Sequence, residues 1–246
     1  MSELSIVIPA HNEGEHLERF VEDFLRRLSP ATRDNMRETI IVENGSTDDT
    51  WEACERLRSG HPDIVRVFRN ARGSYGEAIK RGMLESQGSQ IAILECDFLD
   101  AAFIGKSQEL YRTDKAMFTV ASKRHPASED NRPYRRRILT LGFNLVLRIA
   151  CGYPGSDTHG LKFIDAALAR RLCQIAQTTD EVFQTEIVLL AWRLGTTIHE
   201  LPIYIAESRH HRVPILKRIP KIMNMVWHLR RSLRRFPGVV AKVERH

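Results

Sequence analysis

Glu95-Cys96-Asp97 places two carboxylates around one residue, directly after the apolar run Ile91 to Leu94. Side chains at i and i+2 share one face of an extended segment. Two such carboxylates suit a hard divalent cation that keeps its other positions for phosphate and water. A solvated acidic strand end fits the same residues, and Asp100 adds further charge. Two more polar clusters close apolar runs: His11-Asn12-Glu13 after Leu4 to Ala10, and Glu43-Asn44-Gly45 after Thr39 to Val42. Taken alone, Glu13 reads as a carboxylate favoured by a helix N-terminal dipole. Asn44 to Asp48 alone reads as a turn and helix cap. Other chemistries find no support. There is no Walker loop, Gly73-Ser74-Tyr75-Gly76 lacks the dinucleotide fingerprint, and no Gly-x-Ser-x-Gly elbow occurs. The histidines have no metal-ligand spacing, and His210-His211 reads as a surface pair.

The elements around these clusters alternate. Leu17, Phe20, Val21, Phe24, Leu25 and Leu28 recur at helical spacing after the first strand. A helix through Trp51, Cys54 and Leu57 follows the second strand. Val65 to Phe68 is a third strand, followed by a Gly-containing turn and another helix. Ile91 to Leu94 and Ala116 to Ala121 complete the strands of the first half. Strand–helix alternation implies crossover connections and a mostly parallel sheet covered on both faces. Ligands of such sheets bind beyond the carboxyl ends of the strands, which is where the three clusters fall. Convergence from distant parts of the chain to one sheet edge is the strongest argument for a site.

The second half is less regular. His125 to Arg137 reads as a polar loop, Ile138 to Cys151 as an apolar helix, and Gly152 to Gly160 as a turn-rich loop. Ala166 to Ala176 and Val182 to Leu194 read as helices and Thr197 to Ile205 as extended. Ser208 to Val243 contains no acidic residue. In it, Ile219, Ile222, Val226, Leu229, Leu233 and Phe236 recur at spacings of three and four among lysines and arginines, and Pro220 suits a first helical position. This basic amphipathic tail (215–246) reads equally as a helix packed on the preceding domain (1–214) or as one lying on anionic lipid.

With 246 residues, 42% hydrophobic and 28% charged, the chain is large enough for a substantial core and is not expected to be disordered. A net charge of +6 favours anionic partners. Nucleic acid rests on charge alone and is not expected. Four cysteines without metal or redox spacing fit a reduced, cytoplasmic setting. No signal peptide or spanning segment is evident, which leaves peripheral contact with the cytoplasmic face of a membrane open.

Read together, Ser5 to Glu13, Ile41 to Asp48 and Leu94 to Asp97 resemble the family 2 glycosyltransferases in order and spacing. The resemblance implies an α/β fold of the GT-A type, with a mostly parallel sheet flanked by helices. Ala121 to Arg124, Ser156 to Phe163, Thr185-Glu186-Ile187 and Glu200-Leu201-Pro202 are similar to the dolichyl-phosphate mannose synthase branch, which loads sugars onto polyprenyl phosphates. Carried over, Pro9, His11, Glu13, Val42 and Asn44 line the nucleotide. Glu95, Cys96 and Asp97 hold the diphosphate, with Asp97 and Glu95 as ligands of Mg2+ or Mn2+. Lys123 and Arg209 or Arg212 contact phosphates. The chain departs from the pattern in having His11 for Tyr, Glu43-Asn44 for Asp-Asp, Glu95 for Asp and Lys123 for Arg.

The resemblance implies a nucleotide-sugar donor, inversion at the anomeric carbon and a metal that offsets charge on the leaving diphosphate. A lipid-phosphate acceptor needs little help from a base. A hydroxyl acceptor needs a carboxylate within reach, for which Asp157 and Glu186 are the candidates. The alternatives are a soluble transferase with a hydroxyl acceptor, or a non-catalytic nucleotide-sugar or lipid-binding protein.

Overall fold

The computed structural model describes residues 3–205, 219–236 and 241–246. In chain order the elements are β1 (Leu4–Ala10), α1 (Leu17–Arg27), α2 (Pro30–Asn35), β2 (Met36–Asn44), α3 (Thr50–Gly60), β3 (Val65–Asn70), α4 (Tyr75–Glu85), β4 (Gln90–Ile93) and α5 (Ala101–Thr113). They continue with β5 (Phe118–Ser122), β6 (Glu129–Asp130), α6 (Tyr134–Cys151), β7 (Lys162–Asp165), α7 (Ala166–Ile175), α8 (Phe183–Arg193), β8 (Ile198–Pro202), β9 (Tyr204–Ile205), α9 (Ile219–Leu233) and β10 (Val243–Arg245).

The chain forms two compact units, one of residues 1–118 and 161–183, the other of 119–160 and 184–246. In the first, the strand order is β7-β4-β1-β2-β3. β1 lies parallel to both β2 and β4, β2 is parallel to β3, and β7 is antiparallel to β4. All seven residues of β1 are buried, because crossover helices cover both faces of a parallel strand. α1 buries Leu17, Val21 and Phe24, the predicted stripe, and packs on α3, while α4 packs on β1 and β2.

Several features differ from the sequence expectation. β7 was not expected: Lys162 and Asp165 interrupt its apolar pattern. Asp100 does not extend an acidic cluster. Its carboxylate accepts from the N–H groups of Ala102 (2.9 Å) and Phe103 (3.1 Å) and caps α5, satisfying donors that a helix start leaves open. The Glu95-Cys96-Asp97 segment is not extended either. β4 ends at Ile93, and the Phe98 N–H donates to the Glu95 carbonyl at 2.8 Å, closing a turn.

In the second unit β5, β8 and β10 run parallel in the order β10-β8-β5, and β6 pairs with β9. α6 starts at Tyr134, four residues earlier than expected, and ends on Gly152 at φ 74°. The tail supplies α9 and β10. α9 packs on α6, with Val226, Leu229 and Leu233 buried and the Ser232 hydroxyl donating to Glu186 Oε1 at 2.6 Å. The described apolar stripe of the tail is therefore used in packing.

Candidate active site

In the first unit the carboxyl ends of β1, β2 and β4 meet at a cavity of about 300 Å³. Pro9, His11, Glu13, Asn44, Glu95, Cys96 and Asp97 all line it, so the three clusters picked out in sequence do converge. Val42 does not: it is fully buried inside β2, and the strand presents Asn44 instead. Tyr75, the first residue of α4, lines the cavity as well. The Gly73-Ser74-Tyr75-Gly76 segment lacks the dinucleotide fingerprint, and no spacing in the sequence marks this ring as a lining group.

The loops after β1 and β2 are tied to each other. The Asn12 N–H donates to Ser46 Oγ (3.0 Å) and the Thr47 N–H to Asn12 Oδ1 (2.9 Å). The Glu13 N–H donates to Thr50 Oγ1 at 2.8 Å, and the Thr50 hydroxyl donates to Asp48 Oδ1. Burial pushes the Asp48 carboxyl up, but the Thr50 hydroxyl and the amides of Gly14 and Thr50 outweigh it and hold the group below its usual range. Gly45 sits at φ 67°, where a Cβ would also approach the Gly73 nitrogen to 2.7 Å. Glu43 is fully buried. Its carboxylate accepts from the Ser46 N–H and from Arg69 Nε (3.1 Å), and the Arg69 guanidinium lies 5.0 Å over the Trp51 ring.

Two lining side chains have fixed orientations. The Asn44 Oδ1 accepts from the Ser74 N–H at 2.9 Å, which orients its amide. His11 Nδ1 lies 2.9 Å from the Asn44 carbonyl, an acceptor only, so Nδ1 carries the hydrogen. Asn12 Nδ2, 3.3 Å away, then donates to His11 Nε2. The ring that replaces the family's usual Tyr is thus held in one orientation on the cavity wall.

The donor set is oxygen-rich but sparse. Glu95 is half-buried and Asp97 exposed on their turn. Among the described residues this pocket has no group of three metal-ligand side chains in mutual reach. Such a site fits a hard cation that shares its shell with a diphosphate and water, as Mg2+ does in nucleotide sites. It does not fit an all-protein cage.

The second unit holds the other predicted residues. Asp157 is buried. Its Oδ2 accepts from the Lys123 N–H (3.1 Å) and lies 3.8 Å from Lys123 Nζ, and its Oδ1 accepts from the His159 N–H (2.9 Å). Burial raises this carboxyl, but the Lys123 charge and the two amides win and hold it below the carboxylate range. Beside it, the Ser122 and Ser156 hydroxyls are 2.6 Å apart. Buried Glu200 accepts from the Ser156 N–H (2.5 Å), the Ser156 hydroxyl (2.7 Å) and Arg245 Nε (3.2 Å). Gly160 is needed where the loop meets β5, since a Cβ there would lie 1.7 Å from the Ala121 carbonyl oxygen. Arg209 and Arg212 lie outside the described residues.

The chain and its fold have known relatives. The chain is 26% identical over 235 residues to a dolichyl-phosphate beta-glucosyltransferase of Trichomonas vaginalis, covering 90% of this chain and 69% of that protein. It is 26% identical over 219 residues to the Dictyostelium discoideum dolichyl-phosphate beta-glucosyltransferase, covering 83% and 66%. The chain thus spans about two thirds of the length of these relatives. Among solved structures, glucosyl-3-phosphoglycerate synthase from Mycobacterium tuberculosis in complex with Mg2+ and uridine-diphosphate superposes with a TM-score of 0.66. That pair is 18% identical and covers 94% of this chain and 79% of that one, which establishes the GT-A-like fold. The family model for glycosyl transferase family 2 matches residues 5–166. These residues include all three clusters of the cavity, the Lys123–Asp157 pair and the whole of β7, and on that match the chain belongs to glycosyl transferase family 2.

Proposed function

We propose that the chain transfers a glycosyl group from a nucleoside-diphosphate sugar to a polyprenyl phosphate. The observation that carries this is the single cavity in which Pro9, His11, Glu13, Asn44, Glu95 and Asp97 meet, in a family whose relatives here are named for dolichyl-phosphate transfer. In this reading the nucleoside lies against His11, Tyr75 and Asn44, and the diphosphate points to the Glu95–Asp97 turn. Mg2+ or Mn2+ held by Asp97 and Glu95 would supply charge compensation for the departing diphosphate. An acceptor phosphate oxygen attacks the anomeric carbon as its bond to the diphosphate breaks. The electron pair leaves with the nucleoside diphosphate, and configuration inverts.

No proton has to move, because the acceptor phosphate is already ionised. The surroundings of the two carboxylates considered as bases agree with this. Burial raises the Asp157 carboxyl, but Lys123 and two amides occupy its oxygens and lower its proton affinity, and Glu186 is buried with Oε1 accepting from Ser232. A carboxylate so engaged is a weak base for a hydroxyl acceptor. Lys123, whose side chain is 17% exposed and whose Nζ lies 3.8 Å from Asp157, is assigned to phosphate binding, and Asp157 to positioning it.

A bilayer-borne acceptor also suits α6. Tyr134, Ile138, Leu141, Leu145 and Ile149 are exposed on it, at the spacing of one helix face, with Arg135, Arg137 and Arg148 also exposed. Among the described residues no helix is long and apolar enough to cross a membrane. We assign α6 to peripheral contact with an anionic leaflet on the cytoplasmic side. The test is a panel: UDP- and GDP-sugars with Mg2+ or Mn2+ and either a short-chain polyprenyl phosphate or soluble hydroxyl acceptors, with products read by mass. Transfer to the phosphate alone supports the proposal. Transfer only to hydroxyls, or donor binding without transfer, overturns it.

A further inference from the structure

A group of three ligand-type side chains lies at the edge of the second unit. β10 runs parallel to β8 with Glu244 opposite His199. Alternation along an extended strand puts Glu244 and His246 on one face, the face that His199 presents from its own strand. His199 Nδ1 lies 2.8 Å from His246 Nε2 and 3.6 Å from Glu244 Oε2. The latter is 3.9 Å from His246 Nε2. A tetrahedral ion with metal–nitrogen bonds of about 2.0–2.1 Å needs its ligand atoms about 3.3 Å apart, and the three distances bracket that value. Among the described residues this is the one place where three ligand-type side chains converge within 4.8 Å. Spacing in the sequence could not reveal it, because the strands that join the two histidines are 47 residues apart.

We infer that His199, Glu244 and His246 bind a borderline transition-metal ion, Zn2+ by the chemistry of the set, with a fourth position for water. Two imidazoles and one carboxylate favour Zn2+ over the hard ions that suit the oxygen-only Glu95–Asp97 pair. The ion would pin β10 to β8 at its last described residues. The neighbouring Arg245 is the partner of buried Glu200, and Glu200 holds both the N–H and the hydroxyl of Ser156. Zinc occupancy would therefore also brace the 152–160 loop that carries Asp157.

The alternative is a simple imidazole–imidazole hydrogen bond, with one nitrogen donating across the 2.8 Å gap. Zn2+ titration of the full chain in excess Mg2+, followed by calorimetry and by thermal melting, separates the two. Mg2+ occupies oxygen sites and leaves imidazoles free. The site requires one equivalent of Zn2+ per chain and a Zn2+-dependent rise in Tm. His246→Gln, on the more exposed ring, and Glu244→Gln should each weaken Zn2+ binding by about tenfold or more, since losing a ligand costs at least as much as losing its outer-shell support. Asp97→Asn should bind Zn2+ as the wild type does, so the outcome is independent of the donor-site proposal. Unchanged Zn2+ affinity in His246→Gln, or no Zn2+-dependent change in Tm of the folded wild type, would overturn the inference.

Discussion

Replacing Asp157 with Asn tests whether this buried carboxylate braces the loop or acts as a base. Its two oxygens accept from separate backbone N–H groups, of His159 and Lys123. An amide has one acceptor oxygen, so in Asp157→Asn one of those N–H groups faces an NH2 and loses its partner. A buried donor left unsatisfied costs about 1–3 kcal/mol, and the surviving bond falls from the charged to the neutral range, about another 1 kcal/mol. The lost charge partner of Lys123, 3.8 Å away in a pair whose side chains are 17% and 3% exposed, adds at least about 1 kcal/mol. The total is at least roughly 3–5 kcal/mol, which for a chain of this size lowers Tm by roughly 6–20 °C. The pH dependence has a definite sign. The folded carboxyl lies below its ordinary value of 3.8, so its contribution is complete above that pH and is lost as pH falls through the lower folded value. Thermal unfolding followed by circular dichroism from pH 7 to pH 3 should give a constant wild-type–variant gap down to about pH 4 and a narrowing gap below it. A variant that melts within about 1 °C of the wild type yet loses transfer more than about hundredfold would refute the bracing argument and restore Asp157 as a base.

Two further outcomes follow from the same geometry. Gly45→Ala places a side chain at φ 67° and 2.7 Å from the Gly73 nitrogen. It should weaken UDP-sugar binding, measured by calorimetry, and destabilise the chain by about 1–3 kcal/mol, whereas Gly105→Ala, inside α5 with open space around it, should leave binding unchanged and stabilise the chain by about 0.5–1 kcal/mol. Changing Ile138, Leu141 and Leu145 together to Ser removes exposed apolar side chains. In flotation with anionic vesicles this should weaken binding by about a hundredfold, roughly 3 kcal/mol for three partly inserted residues, while transfer to a short-chain acceptor in detergent stays within about twofold.

Much of the first unit was legible because its signals are local. β1 reads as an apolar run broken only by Ser5 and is buried at every position. α1 shows its buried stripe at helical spacing, and the loops after β1, β2 and β4 carry the polar residues of the cavity. What escaped depends on partners distant in sequence. β7 is antiparallel and only four residues long, held in place by β4. β10 has no apolar run and forms because β8 offers it an edge. Asp100 looked like part of an acidic cluster until the start of α5 gave its carboxylate two amides to accept from. Glu95 and Asp97 reach one cavity through a turn, not through strand alternation. The roles of Asp157 and Glu200 follow from Lys123, Ser156 and Arg245, whose proximity no spacing rule encodes.

The central claim is that the cavity at β1, β2 and β4 carries out sugar transfer through the Glu95–Asp97 turn. The most direct measurement is the initial rate of sugar transfer to a short-chain polyprenyl phosphate in saturating Mn2+, comparing the wild type with Asp97→Asn and checking that the two have the same Tm. Asp97 is exposed, so the substitution should leave the fold intact. The account predicts a loss of at least about a hundredfold, since a metal ligand supplies several kcal/mol of charge stabilisation. A folded Asp97→Asn variant that transfers sugar at the wild-type rate would contradict it.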